Sequence, residues 1–151
     1  MLTSLIHWLW QTDAFPLSFT LGAQLLHTGT GLMLAWHHGL HKLLDGLEWR
    51  SARRERWPFL DEVRAAGFPL PVLSAWMATA AQLGGGLCLA AGLFTRPMAL
   101  LLAGTLLGAV YTTVVLKKDS QMALVYLLLV VSAALLGGGP WSADALLFHR
   151  P

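Results

Sequence analysis

Charged and apolar positions are sharply segregated along this chain. Asp, Glu, Lys and Arg are missing from residues 14–41, 65–95, 97–116 and 120–143, so all eighteen charged side chains lie between or beyond those windows. Each window meets or exceeds the roughly 20 residues that a helix needs to cross about 30 Å of hydrocarbon. A charge at mid-bilayer costs about 2.5–3.5 kcal/mol or more, so a membrane demands this clearing. The pattern predicts an all-α membrane protein with a single domain over residues 1–151. Its fold is a four-transmembrane-helix bundle with spans at about 17–43, 70–94, 97–116 and 120–138.

The segments between the windows carry the remaining structure. Residues 1–16, MLTSLIHWLWQTDAFP, hold an apolar stretch too short to span. With no basic leader and no small-residue cleavage site, it does not read as a signal peptide, and a short interfacial helix lying on the membrane is expected. The first span should end at His41 or Leu44. Residues 45–67 form the one stretch of soluble character, and Phe59, Leu60, Val63 and Ala66 recur there at helical spacing. A second interfacial helix is expected in that loop. Pro69 and Pro71 suit the start of the second span, where a missing N–H does little harm. Thr95, Arg96 and Pro97 make the next turn, Lys117–Ser120 the one after, and Gly137-Gly138-Gly139-Pro140 ends the fourth span.

Composition supports this picture. The chain is 56% hydrophobic, its mean hydropathy is +0.59 and only 12% of it is charged, against about 25% in soluble domains. A net charge of +2, scattered as it is, gives no footprint for nucleic acid. Most of the seven tryptophans fall near predicted span ends, where indole prefers the headgroup level. Eight Lys and Arg lie in Lys42, the 45–67 loop and the Lys117–Lys118 turn, whereas Arg96 and Arg150 belong to the other side. The positive-inside rule then places the 45–67 loop and the 117–119 turn in the cytoplasm and both termini outside. A single cysteine, Cys88, excludes an intrachain disulfide and a dithiol relay.

Five of the six histidines sit on or before the first span: His7, His27, His37, His38 and His41. On a helical wheel Thr20, Gln24, His27, Gly31, Ala35, His38 and Lys42 form one stripe, with His27 and His38 about 16 Å apart along it. A polar stripe on a membrane helix should face the bundle interior. One reading makes it a proton relay or a quinone-head site. The simpler one lets His27 bond a helix carbonyl or Gln82, while the lower residues reach the headgroups. His37 and His41, at i and i+4, suit two metal ligands, and Asp45 could help from the next turn, but no His or acidic residue lies on the other spans, which argues against the three or four ligands a metal needs. Those spans also lack histidine, which argues against a haem held within one chain. Gly84, Gly85, Gly86 and Gly92 read as close-packing positions, Gly104 and Gly108 form a GxxxG helix-packing motif, and Cys88 reads as a small buried hydrophobe. An ion pair between Arg96 and Asp144 is expected to lock the outer end of the bundle.

Several segments together resemble the DoxX family of small four-span bacterial inner-membrane proteins. They are GLMLAWHHGLHKL at 31–43 (with its H-G-x-x-K ending), GFPLP at 67–71, QLGGGLCLAAGLFTRPMALLLAG at 82–104 and ALVYLLLVVSAALLGGGPWSAD at 123–144. The GLFTR turn and the final G-x-x-S-x-D carry most of the likeness, which runs over roughly residues 25–147. It implies a four-helix membrane bundle associated with redox chemistry, since the family is named for a subunit of a thiosulfate:quinone oxidoreductase. The positions it carries over are His38, Gly39, Lys42, Arg96, Ser142 and Asp144. Many members have an arginine where this chain has His27 and an acidic residue where it has Gln82. A neutral His27–Gln82 hydrogen bond is the expected replacement, without the desolvation cost of a buried ion pair.

The expectation that follows is an integral membrane subunit of a quinone-linked redox complex, one that oxidises sulfur or thiols. His38 and Lys42 would bond the quinone oxygens near the interface, His27 would carry protons deeper, Gln82 would complete the polar lining, and Trp36 and Trp76 would form flat walls. Histidine suits the task because its unperturbed pKa near 6.5 lets it exchange protons at working pH. The expected partner is an oxidoreductase or sulfurtransferase subunit, with a homo-oligomer as a further option. The rival expectation is a non-catalytic scaffold or assembly factor that docks a soluble partner through the basic 45–67 loop.

Overall fold

A computed structural model of the chain describes residues 17–148, with side chains from Leu21 to Leu147. The interfacial helix expected at the N-terminus lies outside the described residues. The rest is helical, and no strand occurs among the described residues. Helix α1 (Leu17–Met33) runs on without a break through a π-helical turn, π1 (Leu34–Leu40), into α2 (His41–Arg50). A short α3 (Pro58–Ala65) follows. Helix α4 (Pro71–Ala80) likewise passes through a second π-helical turn, π2 (Ala81–Gly85), into α5 (Gly86–Ala91). Two further helices, α6 (Thr95–Val115) and α7 (Gln121–Leu136), form a hairpin, and α8 (Ala143–Phe148) closes the chain.

Two of these units are long and apolar enough to cross a membrane: Pro71–Ala91 and Thr95–Val115, of 21 residues each. Only 33% and 28% of their apolar windows are buried. A core helix of a soluble protein would be mostly covered, so the bare apolar faces call for lipid. Helix α7 is apolar as well, and shorter. Leu124, Val125, Leu128, Val131 and Leu135 are exposed along it.

The ends of the helices explain the turns. Trp57 is extended and Pro58 opens α3; Leu70 is left-handed and Pro71 opens α4. Gly92, at φ +66°, ends α5, with the N–H of Leu93 bonded to the carbonyl of Cys88 at 2.8 Å. That is the left-handed cap that glycine favours. The start of α6 is capped from fifty residues away. Asp144 Oδ1 accepts from the N–H of Phe94 at 2.6 Å and Oδ2 from that of Thr95 at 2.9 Å. This end of the bundle is therefore locked by Asp144 through main-chain donors, and the ion pair expected between Asp144 and Arg96 does not occur among the described residues. Arg96 is buried and donates to the carbonyl of Leu135 at 3.5 Å. A carboxylate suits this place because unpaired N–H groups at a helix start attract negative charge.

Small residues let the first helix meet the second. A methyl on Gly31 would lie 2.5 Å from the backbone of Gly86 and Ala90, and one on Gly39 would lie 2.6 Å from Leu83 N and Cα. These contacts place π1 directly against π2. Leu34, Leu89, Leu102, Leu106, Tyr126 and Val130 fill the core between the helices.

The 45–67 segment is more ordered than a loop. Its first part continues the helix to Arg50, and Arg54 pairs with Asp45 and Glu48. A methyl on Gly46 would lie 2.9 Å from both Trp57 and Trp76. The apolar face of α3 does not lie on headgroups as expected. Leu60 and Val63 turn inward with Trp57 and Ala75, flanked by Trp49, Phe59, Phe68 and Trp76. Packing on aromatic side chains offers this helix more apolar contact than an interface would.

Candidate functional site

The stripe on the first helix faces inward: His27, Gly31 and Ala35 are buried, and His38 and Lys42 are half-buried. A π-helical turn carries an i→i+5 bond and an extra residue, and such turns are frequent at functional sites. Here each one bears a polar group of the site, His38 on π1 and Gln82 on π2. Both face a cleft of about 720 Å³.

The side chain of Lys42 reaches Gln82, with Nζ donating to Oε1 at 2.9 Å. Its ammonium also lies 3.8 Å from the centre of the Phe59 ring, a cation–π contact. Gln82 is eleven residues into the Pro71–Ala91 unit, or about 16 Å along its axis at 1.5 Å per residue. Lys42 thus bonds a residue near the midpoint of that unit. Side chains on a helix lean toward its N-terminus, which for α2 means back into the bundle. Beside it the His38 ring stands edge-on to Tyr126, with centroids 5.3 Å apart. Glu62 lines the same cleft, and its carboxylate is held by Lys118 at 2.7 Å.

The other walls are apolar or already satisfied. Phe59, Val63 and Phe68 close the cleft from α3 and its flank, Met77, Ala78 and Ala81 from α4 and π2, and Leu100, Leu101 and Gly104 from α6. Thr105 and Thr112 line it too, but their hydroxyls bond the carbonyls of Leu102 and Gly108. Gly104 and Gly108 are not a helix-packing pair within the chain. A methyl on Gly104 would meet nothing within 4 Å, and one on Gly108 would touch only the ring of Phe68 at 3.6 Å. The two glycines widen the cleft.

Of the residues singled out in the sequence, His38, Lys42 and Gln82 come together here. His27, Trp36 and Trp76 do not line the cleft. His27 is fully buried with neither ring nitrogen hydrogen-bonded, so the expected His27–Gln82 bond is not formed. Gln82 instead serves Lys42, which can reach it from one turn beyond π1. No hydrogen-bonded path leads from His27 to His38 among the described residues. Trp36 is 64% exposed on the outer surface of π1, and Trp76 packs tilted against Trp57 in the aromatic cluster, with ring centroids 4.8 Å apart. The walls come instead from Phe59, Phe68 and Met77. Sequence reasoning read Phe59 only as part of an amphipathic face, because its closeness to Lys42 depends on how α3 folds back. His37 and His41 lie with ring centroids 6.5 Å apart on the exposed side of the helix.

The arrangement suits an amphiphile: hydrogen-bond donors and one positive charge at the inner wall, the Glu62 and Asp119 carboxylates at one end, and mostly apolar walls elsewhere. Comparison with curated proteins and with solved structures returns no match. The sequence profile of the DoxX family matches residues 22–115, which takes in π1, Lys42, π2 and all of α6. With its bare apolar helices and this match over more than half of its length, the chain is a membrane protein and belongs to the DoxX family.

Proposed function

We propose that the chain is a four-span subunit of a quinone-linked redox complex in the bacterial inner membrane, and that the cleft at Lys42 receives the quinone head. Lys42 carries this reading. It is a half-buried cation whose ammonium turns into the bundle to reach Gln82, and an ionisable group inside a membrane bundle marks a functional site by default. Its hydrogen-bond partner is a neutral amide, while Glu62, the acid that shares its cleft, is bonded to Lys118. An ammonium has three donors, so donors remain for an oxygen on a ligand. A quinone carbonyl supplies that oxygen, and His38 stands ready as a second donor. Reduction of a quinone to a quinol takes up two electrons and two protons. The electrons would come from a partner subunit that oxidises thiols or sulfur compounds, an oxidoreductase or a sulfurtransferase. His38, which lines the same cleft, would exchange a proton with the ring oxygen.

The spans in this reading are about 17–43, 70–94, 97–116 and 120–138, with the 45–67 segment and the 117–119 turn on the cytoplasmic side. Calorimetric titration of the detergent-purified protein with a short-tailed ubiquinone tests the head site. A hydrogen bond to a charged group contributes about 1.5–3 kcal/mol. Lys42→Met should therefore weaken binding at least about tenfold, and Trp36→Ala should leave it unchanged. Equal affinity in wild type and Lys42→Met would remove the site.

A scaffold reading has one observation in its favour. Arg50, Arg53 and Arg56 are exposed on the ordered platform built over Trp57, and they would dock an acidic partner. It predicts that reversing these three charges abolishes function while Lys42→Met does not.

A further inference from the structure

The cleft continues past the polar groups. Helix α6 packs closely on π2 and α5 and touches α4 little, so a gap opens between α4 and α6 on the outside of the bundle. Met77 is 63% exposed on one lip, and Leu100 and Leu101 are about half exposed on the other. All three also line the cleft. Gly104 lines the cleft as well and is exposed, and a side chain there would meet nothing within 4 Å. The cytoplasmic side of the cleft is differently built: Phe59, Val63 and Phe68 cover it, and the Glu62–Lys118 bond ties α3 to the turn before α7.

The geometry points to a lateral portal between α4 and α6, through which the ligand enters from the bilayer and in which its apolar tail stays. This rests on the quinone reading of the head site and adds a route and a tail site to it. The gap faces the apolar girdle of the two membrane-crossing units, where lipid and not water surrounds the protein. A water-soluble ligand would need an aqueous mouth at the Glu62 end. A second copy of the chain laid over Gly104 would close the gap but would bring no acceptor to Lys42. A tailed quinone satisfies both ends of the one cavity.

The test uses the full chain in lipid nanodiscs and a ubiquinone whose short alkyl tail ends in a diazirine. After illumination, labelled peptides are mapped with and without excess unlabelled quinone. Competable label on Met77 or on residues 99–105, lost in Gly104→Leu but kept in Gly84→Leu, is the expected result. Competable label confined to the Glu62–Asp119 side would keep the head site and overturn the portal. No competable label on any peptide would show that quinone does not bind, and both readings would fall together. Light scattering on the same samples guards the control. A dimer in wild type that becomes a monomer in Gly104→Leu would make the gap a helix interface and overturn the portal.

Discussion

Adding one methyl group at Gly39 should damage this fold far more than adding one at Gly84. Both glycines sit in π-helical turns, so the gain in backbone propensity from glycine to alanine, about 0.5–1 kcal/mol in a helix, enters both variants and cancels in the comparison. The surroundings differ. The new methyl at Gly39 would lie 2.6 Å from Leu83 N and Cα, whereas at Gly84 it would meet nothing within 4 Å. The obstacle at Gly39 is backbone, which cannot rotate away as a side-chain tip can. Overpacking of this kind costs about 1–3 kcal/mol, and a backbone clash belongs at the upper end. Gly39→Ala should therefore unfold more readily than Gly84→Ala by up to about 3 kcal/mol, roughly a hundredfold in the equilibrium constant. Equilibrium unfolding in mixed micelles with increasing SDS, followed by tryptophan fluorescence, reads the difference. The same variant should weaken quinone binding, since separating π1 from π2 pulls His38 and Lys42 away from Gln82. Two variants that unfold within about 0.5 kcal/mol of each other would refute the tight π1–π2 contact and the site built on it.

Other consequences are as direct. Asp144→Ala removes both acceptors at the start of α6 and should cost about 1–2 kcal/mol in the same unfolding assay; Ser120→Ala should cost less, because Ser120 precedes α7 without a side-chain capping bond. Trp57→Ala empties the centre of the aromatic cluster and should cost about 3–5 kcal/mol locally. Trypsin should then cut at Arg53, Arg54 and Arg56 faster than in wild type. Arg54→Ala breaks exposed ion pairs with Asp45 and Glu48 and should change stability by less than about 1 kcal/mol.

How much of this was legible in the sequence depends on the range of each interaction. The helices between charged segments could be read because a bilayer excludes charge residue by residue, which leaves a local record. Pro71 at the start of α4 was legible for the same reason, since backbone preferences are local; Gly92 was read only as a close-packing position, and the left-handed turn it makes at the end of α5 was not foreseen. The two π-helical turns left no such mark, since a 3.6-residue wheel has no place for an i→i+5 bond. That wheel correctly turned His38 and Lys42 inward. It could not show that Lys42 reaches Gln82, forty residues on, or that His27 is passed over. GxxxG spacing suggested a helix contact at Gly104 and Gly108, yet the same missing side chains leave a cleft where no helix arrives. Trp36 and Trp76 were chosen as walls for their chemistry. Their directions depend on π1 and on the fold-back of α3, which brought Phe59 to the site instead.

The central claim is that the cleft between Lys42, His38 and Gln82 holds a quinone head. The most direct measurement is photolabelling of the nanodisc-embedded protein with a ubiquinone carrying an azide on the ring, with labelled residues mapped by mass spectrometry. The account predicts label on Phe59, Val63 or the Thr105–Thr112 stretch of α6, competed by unlabelled quinone and lost in Lys42→Met. Competable label on the outer face at Trp36, or equal labelling of the cleft in Lys42→Met, would contradict it.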